Sequence, residues 1–300
     1  MNTKSLLKLL RYSLFLIAGI FYFTIASAQY MELKQLNGFE AKIYYSAGHQ
    51  QRAKDIATQT KNAIDYNSKL LGFKPEVTLL VLNPEDWSKH TSFPVYGMAH
   101  YKDDQTLVVA SSDNSLWQSF LPSLDQLPAE LAVKIKQTYK IEDGSLSMQP
   151  FFDLLAIHEL GHAFHIQGKL TMQRKWMSEM FCNLLLHTYI AENEPSELNA
   201  LTLFPEMVVA TGMSEYQFTN LQHFEESYTE IAQKHPKNYG WYQCRLQLAA
   251  KDIYNAGGSE MLVKLSRALK ENNANLKDKE FAAYLQKEVD PVVANVMLEW

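Results

Sequence analysis

Pro150-Phe151-Phe152-Asp153-Leu154-Leu155-Ala156-Ile157-His158-Glu159-Leu160-Gly161-His162-Ala163-Phe164-His165-Ile166-Gln167-Gly168 is the stretch on which the reading of this chain turns. It reads as one helix over 150–167. Pro150 suits the first helical position, where its missing N–H costs nothing, and Ser147 and Gln149 stand just before it as capping groups. Apolar residues are nearly continuous from Phe151 to Ile157, which puts the helix in the interior rather than on a surface. Gly168 fits the left-handed residue that follows a helix end. Inside the helix, His158-Glu159-Leu160-Gly161-His162 spells H-E-x-x-H. Histidines four apart stand one above the other on one face, so both imidazoles can address a single metal ion. Glu159, beside the first of them, reaches a water on that ion. A buried histidine pair without a partner is costly. Neutral rings on a metal, each with its outer N–H held by an acceptor, remove that cost. Gly161 gives up helix propensity in mid-helix, which implies that another backbone passes close by.

A catalytic zinc site of this kind takes three protein ligands and a water. His165 shares a broad face with the pair but lies too far along the axis from His158. No His-x-x-Gly-x-x-His extension follows His162, which disfavours a three-histidine site. Glu179 is better placed. It sits in Trp176-Met177-Ser178-Glu179-Met180-Phe181-Cys182-Asn183-Leu184-Leu185-Leu186, which reads as a second buried helix over about 175–192. Residues 168–174 are long enough to reverse the chain, so the two helices pack antiparallel with Glu179 facing the histidines. A carboxylate on a buried helix needs a partner, and a metal ion is one. Asn183, one turn after Glu179, is placed to accept the outer N–H of a ligand histidine.

On these residues the chain resembles the gluzincins, and most nearly the compact peptidase MA-like proteins. The likeness consists of His-Glu-Leu-Gly-His at 158–162, Trp176 three residues before Glu179, and an upstream pair of strand-like runs, Val95–Tyr101 and Thr106–Ala110. It spans roughly residues 40–270. It implies an α+β, zincin-like fold. Residues 29–170 would form an N-terminal lobe of mixed sheet, helices and the active-site helix, and residues 171–300 a mostly helical lobe carrying the third ligand. It further implies Zn2+ on His158, His162 and Glu179, a peptide or protein substrate, and Glu159 as general base. Members of this group supply a Tyr or His from the second lobe to the developing oxyanion. Tyr239 fits that position best here and Tyr242 second, with Tyr228 and His235 in the same region. In zincin-like folds an edge strand lines the cleft and pairs with an extended peptide. Gly97, Met98, Ala99 and His100 are the residues that would do so. Two positions depart from the family pattern: Met180 stands where Gly is usual, and Asn183 where an acidic residue is usual.

The N-terminus stands apart from this fold. Lys4, Lys8 and Arg11 precede an uncharged stretch from Tyr12 to Met31, and Ala26-Ser27-Ala28 offers small residues for cleavage. Residues 1–28 read as a secretory signal peptide, so the expected location is periplasmic or secreted; an uncleaved membrane anchor is the alternative. The 28 Lys and Arg against 33 Asp and Glu give a net charge of −5. Removing residues 1–28 takes away three basic groups and no acidic ones, leaving 25 − 33 = −8. An acidic surface argues against nucleic acid as a partner. The two cysteines, Cys182 and Cys244, lack zinc-thiolate spacing; export permits a disulfide, and two buried thiols fit equally well.

Along the chain, residues 39–46 and 77–82 read as strands and 49–70 as a helix closed by Gly72. Residues 95–101 and 106–111 read as a hairpin, and 128–140 as a helix or an irregular lid. Two other readings remain at this level: a catalytically degenerate zincin-like protein that binds peptide or protein, and a secreted binding protein in which H-E-x-x-H is accidental.

Overall fold

The computed structural model describes residues 30–300 apart from Glu142, so the leader expected at 1–28 lies outside the described residues. The chain is mixed α/β. Five strands, β1 (Lys34–Leu36), β2 (Lys42–Tyr45), β3 (Thr78–Leu82), β4 (His100–Tyr101) and β5 (Thr106–Ala110), form one sheet in the order β1-β2-β3-β5-β4. β2, β3 and β5 run parallel, with Tyr44 opposite Leu80 and Leu80 opposite Val108. The outer strands β1 and β4 are antiparallel to their neighbours. Every residue of β5 is buried, as expected of a central strand covered on both faces. The crossover between β2 and β3 is helix α1 (Gln50–Leu71), closed by Gly72 in the left-handed conformation at φ 68°.

After β5 the regular structure is helical: α3 (Ser115–Ser119), α4 (Ala129–Thr138), α5 (Gln149–Gln167), α6 (Lys175–Asn193), α7 (Leu198–Ala210), α8 (Leu221–Lys234), α9 (Pro236–Gly257), α10 (Ser259–Glu271), α11 (Asp278–Glu288) and α12 (Pro291–Leu298). A short helix α2 (Pro84–His90) precedes them, between β3 and β4. Helix α5 packs on β5 and β4, while α6 lies between α5 and α9. From Trp176 to Ile190 only Ser178 of α6 is not fully buried, which is why its sequence shows no polar face. Ser147 accepts the Gln149 N–H at 3.0 Å at the start of α5. Arg52 of α1 forms a two-pronged ion pair with Asp153 and so ties α5 to the crossover helix.

Two expectations change. The strand read at 95–101 shrinks to His100–Tyr101, and 95–99 is irregular. The indole of Trp117 takes the Gly97 carbonyl at 2.7 Å, turning the backbone away from the ladder. Gly168 is not left-handed: its φ is −72°, and Lys169 takes that role at φ 57°. The helix closes through the Leu170 N–H on the His165 carbonyl at 2.9 Å. Glycine at 168 answers a contact instead, because a Cβ there would lie 2.3 Å from the Phe164 carbonyl oxygen. Of the two readings open at 128–140, the structure has the helix, over 129–138. Of the two outcomes open for the cysteines, the structure has free thiols, both buried.

Candidate metal centre

Helices α5 and α6 meet at a glycine. A Cβ on Gly161 would lie 2.6 Å from the Cα of Cys182, so only glycine lets the two backbones come this close. The contacts His158 to Asn183, Gly161 to Cys182 and His165 to Ser178 run in opposite directions along the two helices, which are therefore antiparallel. This register brings Glu179 over the histidine pair. Its Oε2 lies 3.3 Å from His158 Nε2 and 3.9 Å from His162 Nε2.

The outer nitrogens are held as well. His158 Nδ1 donates to Asn183 Oδ1 at 2.8 Å, which leaves Nε2 to face Glu179. His162 Nδ1 lies 3.0 Å from His165 Nε2, which is in turn 3.0 Å from Ser178 Oγ. Burial holds His165 down at about 3 and His162 at about 4, so both rings are neutral at physiological pH. In the His165 tautomer whose Nε2 carries no proton, that nitrogen accepts the His162 Nδ1 proton and leaves His162 Nε2 free.

Glu179 is deeply buried and fully partnered. Tyr228 donates to its Oε1 at 2.9 Å, and Gln243 Nε2 donates to Oε2 at 3.0 Å. Tyr239 joins this network from one turn before Gln243 on α9: its hydroxyl lies 2.9 Å from Gln243 Nε2 and 3.2 Å from the Tyr228 hydroxyl. A break in helical geometry at Ser227, φ −118° and ψ 19°, precedes Tyr228 in α8. Burial alone would push the Glu179 carboxyl up. The hydrogen bond from His158 and the fields of both histidines outweigh it and hold the group at about 2, ionised. Burial likewise lowers His158, but Glu179 and Glu159 reverse the sign and raise it. Glu159, half-buried beside the pair, is pushed up to about 7 by burial, with Glu179 adding to the rise and His158 opposing it.

A divalent cation fits this donor set: two imidazole nitrogens with their outer N–H groups held, plus an ionised carboxylate. One further donor lies close. The Cys182 sulfur and ring nitrogens of His158 and His162 all fall within 4.8 Å of one another. Burial, then Glu179 and Glu159, push the Cys182 thiol well up, so it stays protonated. It packs against Gly161, whereas the Glu179 carboxylate already carries its charge.

Other expected residues lie elsewhere. Tyr242 is fully buried, donates to the Asn220 carbonyl at 2.7 Å and stacks on Trp300. Its hydroxyl is committed to the core, which removes it from the catalytic set. Gly97 is one of the residues expected to pair with an extended peptide. At φ 104° it is instead closed in, since a Cβ there would meet Asn114 and Trp117 at 2.8–2.9 Å. His100 lies on the edge strand but spends both ring nitrogens locally: Nδ1 on the Met98 carbonyl at 2.9 Å and Nε2 on Thr91 Oγ1 at 2.7 Å. Its ring stacks on Phe93. Met98 is held by that contact, and Ala99 is half-buried between them. Tyr228, named among the oxyanion candidates, bonds Glu179, and His165, set aside as a ligand, lies against His162; the residues that local spacing did not reveal are Gln243 and Ser178. No known protein family matches the chain, and no curated protein is significantly similar to it.

Proposed function

We propose that this protein is a zinc-dependent metallopeptidase of the gluzincin type, zincin-like in fold and exported through residues 1–28. The observation that carries the reading is the approach of His158 Nε2 and His162 Nε2 to one carboxylate oxygen of Glu179, at 3.3 and 3.9 Å, with Glu159 alongside. His158, His162 and Glu179 are the residues that hold the ion. Zn2+ bound there supplies Lewis acidity, lowering the pKa of a water and polarising a carbonyl. Glu159 takes one proton from the attacking water as its oxygen bonds to the scissile carbonyl carbon. It then delivers that proton to the leaving nitrogen as the C–N bond breaks, giving a carboxylic acid, which keeps the water's second proton until it ionises, and an amine. Tyr228 and Gln243 keep the Glu179 carboxylate oriented, and Tyr239 braces both. Asn183 and His165 fix which nitrogen of each ligand ring is free. The substrate is a peptide or protein; with an acidic overall charge, nucleic acid is not expected. Among the described residues no helix is long and apolar enough to cross a membrane.

Glu159→Gln tests the reading. It keeps shape and hydrogen bonding while removing the base. Hydrolysis of fluorescent casein should fall by about 10²–10⁴-fold while one zinc per chain is retained, measured by elemental analysis. Zinc bound equally by both proteins with no hydrolysis by either would favour a binding role. No zinc in either would make H-E-x-x-H accidental.

A further inference from the structure

Three tyrosines bear on the Glu159 and Glu179 region, and two have committed their hydroxyls. Tyr228 donates to Glu179, and Tyr239 is bonded to Tyr228 and Gln243. The third is Tyr101 on β4. Successive residues of a strand face opposite sides of the sheet. His100 packs its ring against Trp87 of α2 and against Phe93, so Tyr101 faces the other side, where α5 covers β4 and β5. Its hydroxyl is buried and has no hydrogen-bond partner. The titratable groups that bear on it from the covering helices are Glu159 of α5 and Cys182 of α6, with Asp103 from its own hairpin. Burial first, and then these groups, keep the phenol protonated and therefore a donor. A buried donor without an acceptor is costly and native structures rarely keep one. An acceptor that arrives with the substrate accounts for it.

We propose that Tyr101 is the substrate-facing hydrogen-bond donor of this site, its phenol O–H donating to the scissile carbonyl oxygen as that oxygen gains negative charge. The inference rests on the hydrolase reading above. It moves oxyanion stabilisation from the helical half of the chain to the edge strand of the sheet, and it leaves Tyr239 and Tyr228 as positioning residues for Glu179. It also gives the edge strand a role in which Tyr101, rather than residues 97–100, meets the peptide.

Tyr101→Phe removes the hydroxyl alone. The wild type and the variant are compared for casein hydrolysis, zinc content, melting temperature and affinity for phosphoryl-Leu-Trp, whose tetrahedral phosphoryl oxygens copy the charged state. The variant should lose about 10²–10³-fold in kcat with KM within a few-fold. It should bind phosphoryl-Leu-Trp at least tenfold more weakly, with zinc content unchanged and a melting temperature equal to or above wild type. Undiminished kcat and affinity in the variant, with an active wild type, would overturn the Tyr101 assignment alone. A fall in zinc content or melting temperature accompanying the loss would make Tyr101 a packing residue and also overturn it. An inactive wild type that still binds zinc sinks the hydrolase reading and with it the Tyr101 assignment. A wild type that binds neither zinc nor phosphoryl-Leu-Trp overturns both.

Discussion

At a buried site, a group that is already ionised holds a cation at less cost than one that must first lose a proton. Glu179 is held at about 2 and Cys182 well above its ordinary value, and both lie beside the histidine pair. The two side chains therefore make opposite predictions. Cys182→Ala, which keeps the Cβ in contact with Gly161, should leave one zinc per chain. Glu179→Gln should weaken zinc binding on the order of a hundredfold or more. Competition with a fluorescent chelator measures both, and the reverse result would make the thiolate the third ligand. Asn183 offers a further check. Asn183→Leu removes the acceptor of the His158 Nδ1 proton, so the ring can turn and change tautomer. Zinc affinity should fall about 10–100-fold with little change in helix content by circular dichroism.

The site exists because two helices touch at one glycine. Gly161→Ala would drive a methyl group to within 2.6 Å of the Cys182 Cα, and neither backbone can yield locally. The helices must separate, at a cost of about 1–3 kcal/mol seen as a melting temperature lower by several degrees, with zinc binding weakened because Glu179 moves off the histidines. Gly240→Ala in α9 is the control. No atom lies within 4 Å of a Cβ there, so better helix propensity should leave stability equal or raise it by about 0.5–1 kcal/mol. A melting temperature for Gly161→Ala equal to that of the control would refute the close-approach argument. The same contrast explains which elements were legible. Helices α5 and α6 begin and end within a residue or so of their sequence reading, because Pro150 marks the start of α5 and dense apolar residues mark both locally. The histidine pair was legible for the same reason, through spacing on one helix. Tyr228 and Gln243 reach Glu179 across 49 and 64 residues of sequence, and no periodicity marks such partners. The strand read at 95–101 was cut short by Trp117, a tertiary contact that β propensity does not register.

For the molecule as a whole, the helical half buries His162, His165 and His187 as neutral rings, and this bears on how stability varies with pH. His187 of α6 lies against Tyr254 and Gln247 of α9, and burial, aided by Lys251, lowers it to about 4. An unfolded histidine titrates near 6.5. Between these values the unfolded chain binds a proton that the folded ring refuses, so the contribution of His187 to stability falls as pH drops from about 6.5 to about 4 and is constant above that window. The full shift corresponds to about 3 kcal/mol at most. His162 and His165 act in the same direction, His158 and Glu159, both raised, act in the opposite one, and Glu179 adds a separate loss from about 4.5 down to about 2 as its carboxylate is forced to protonate. His187→Leu removes only the first of these and approximately conserves the buried volume. Urea unfolding of zinc-free protein at pH 7.0 and pH 5.0 should show wild type losing stability between the two, and His187→Leu losing about 2 kcal/mol less. Equal losses in both proteins would mean that His187 keeps its proton in the folded interior, and the packing of α6 against α9 would then need an acceptor for a charged ring at that position.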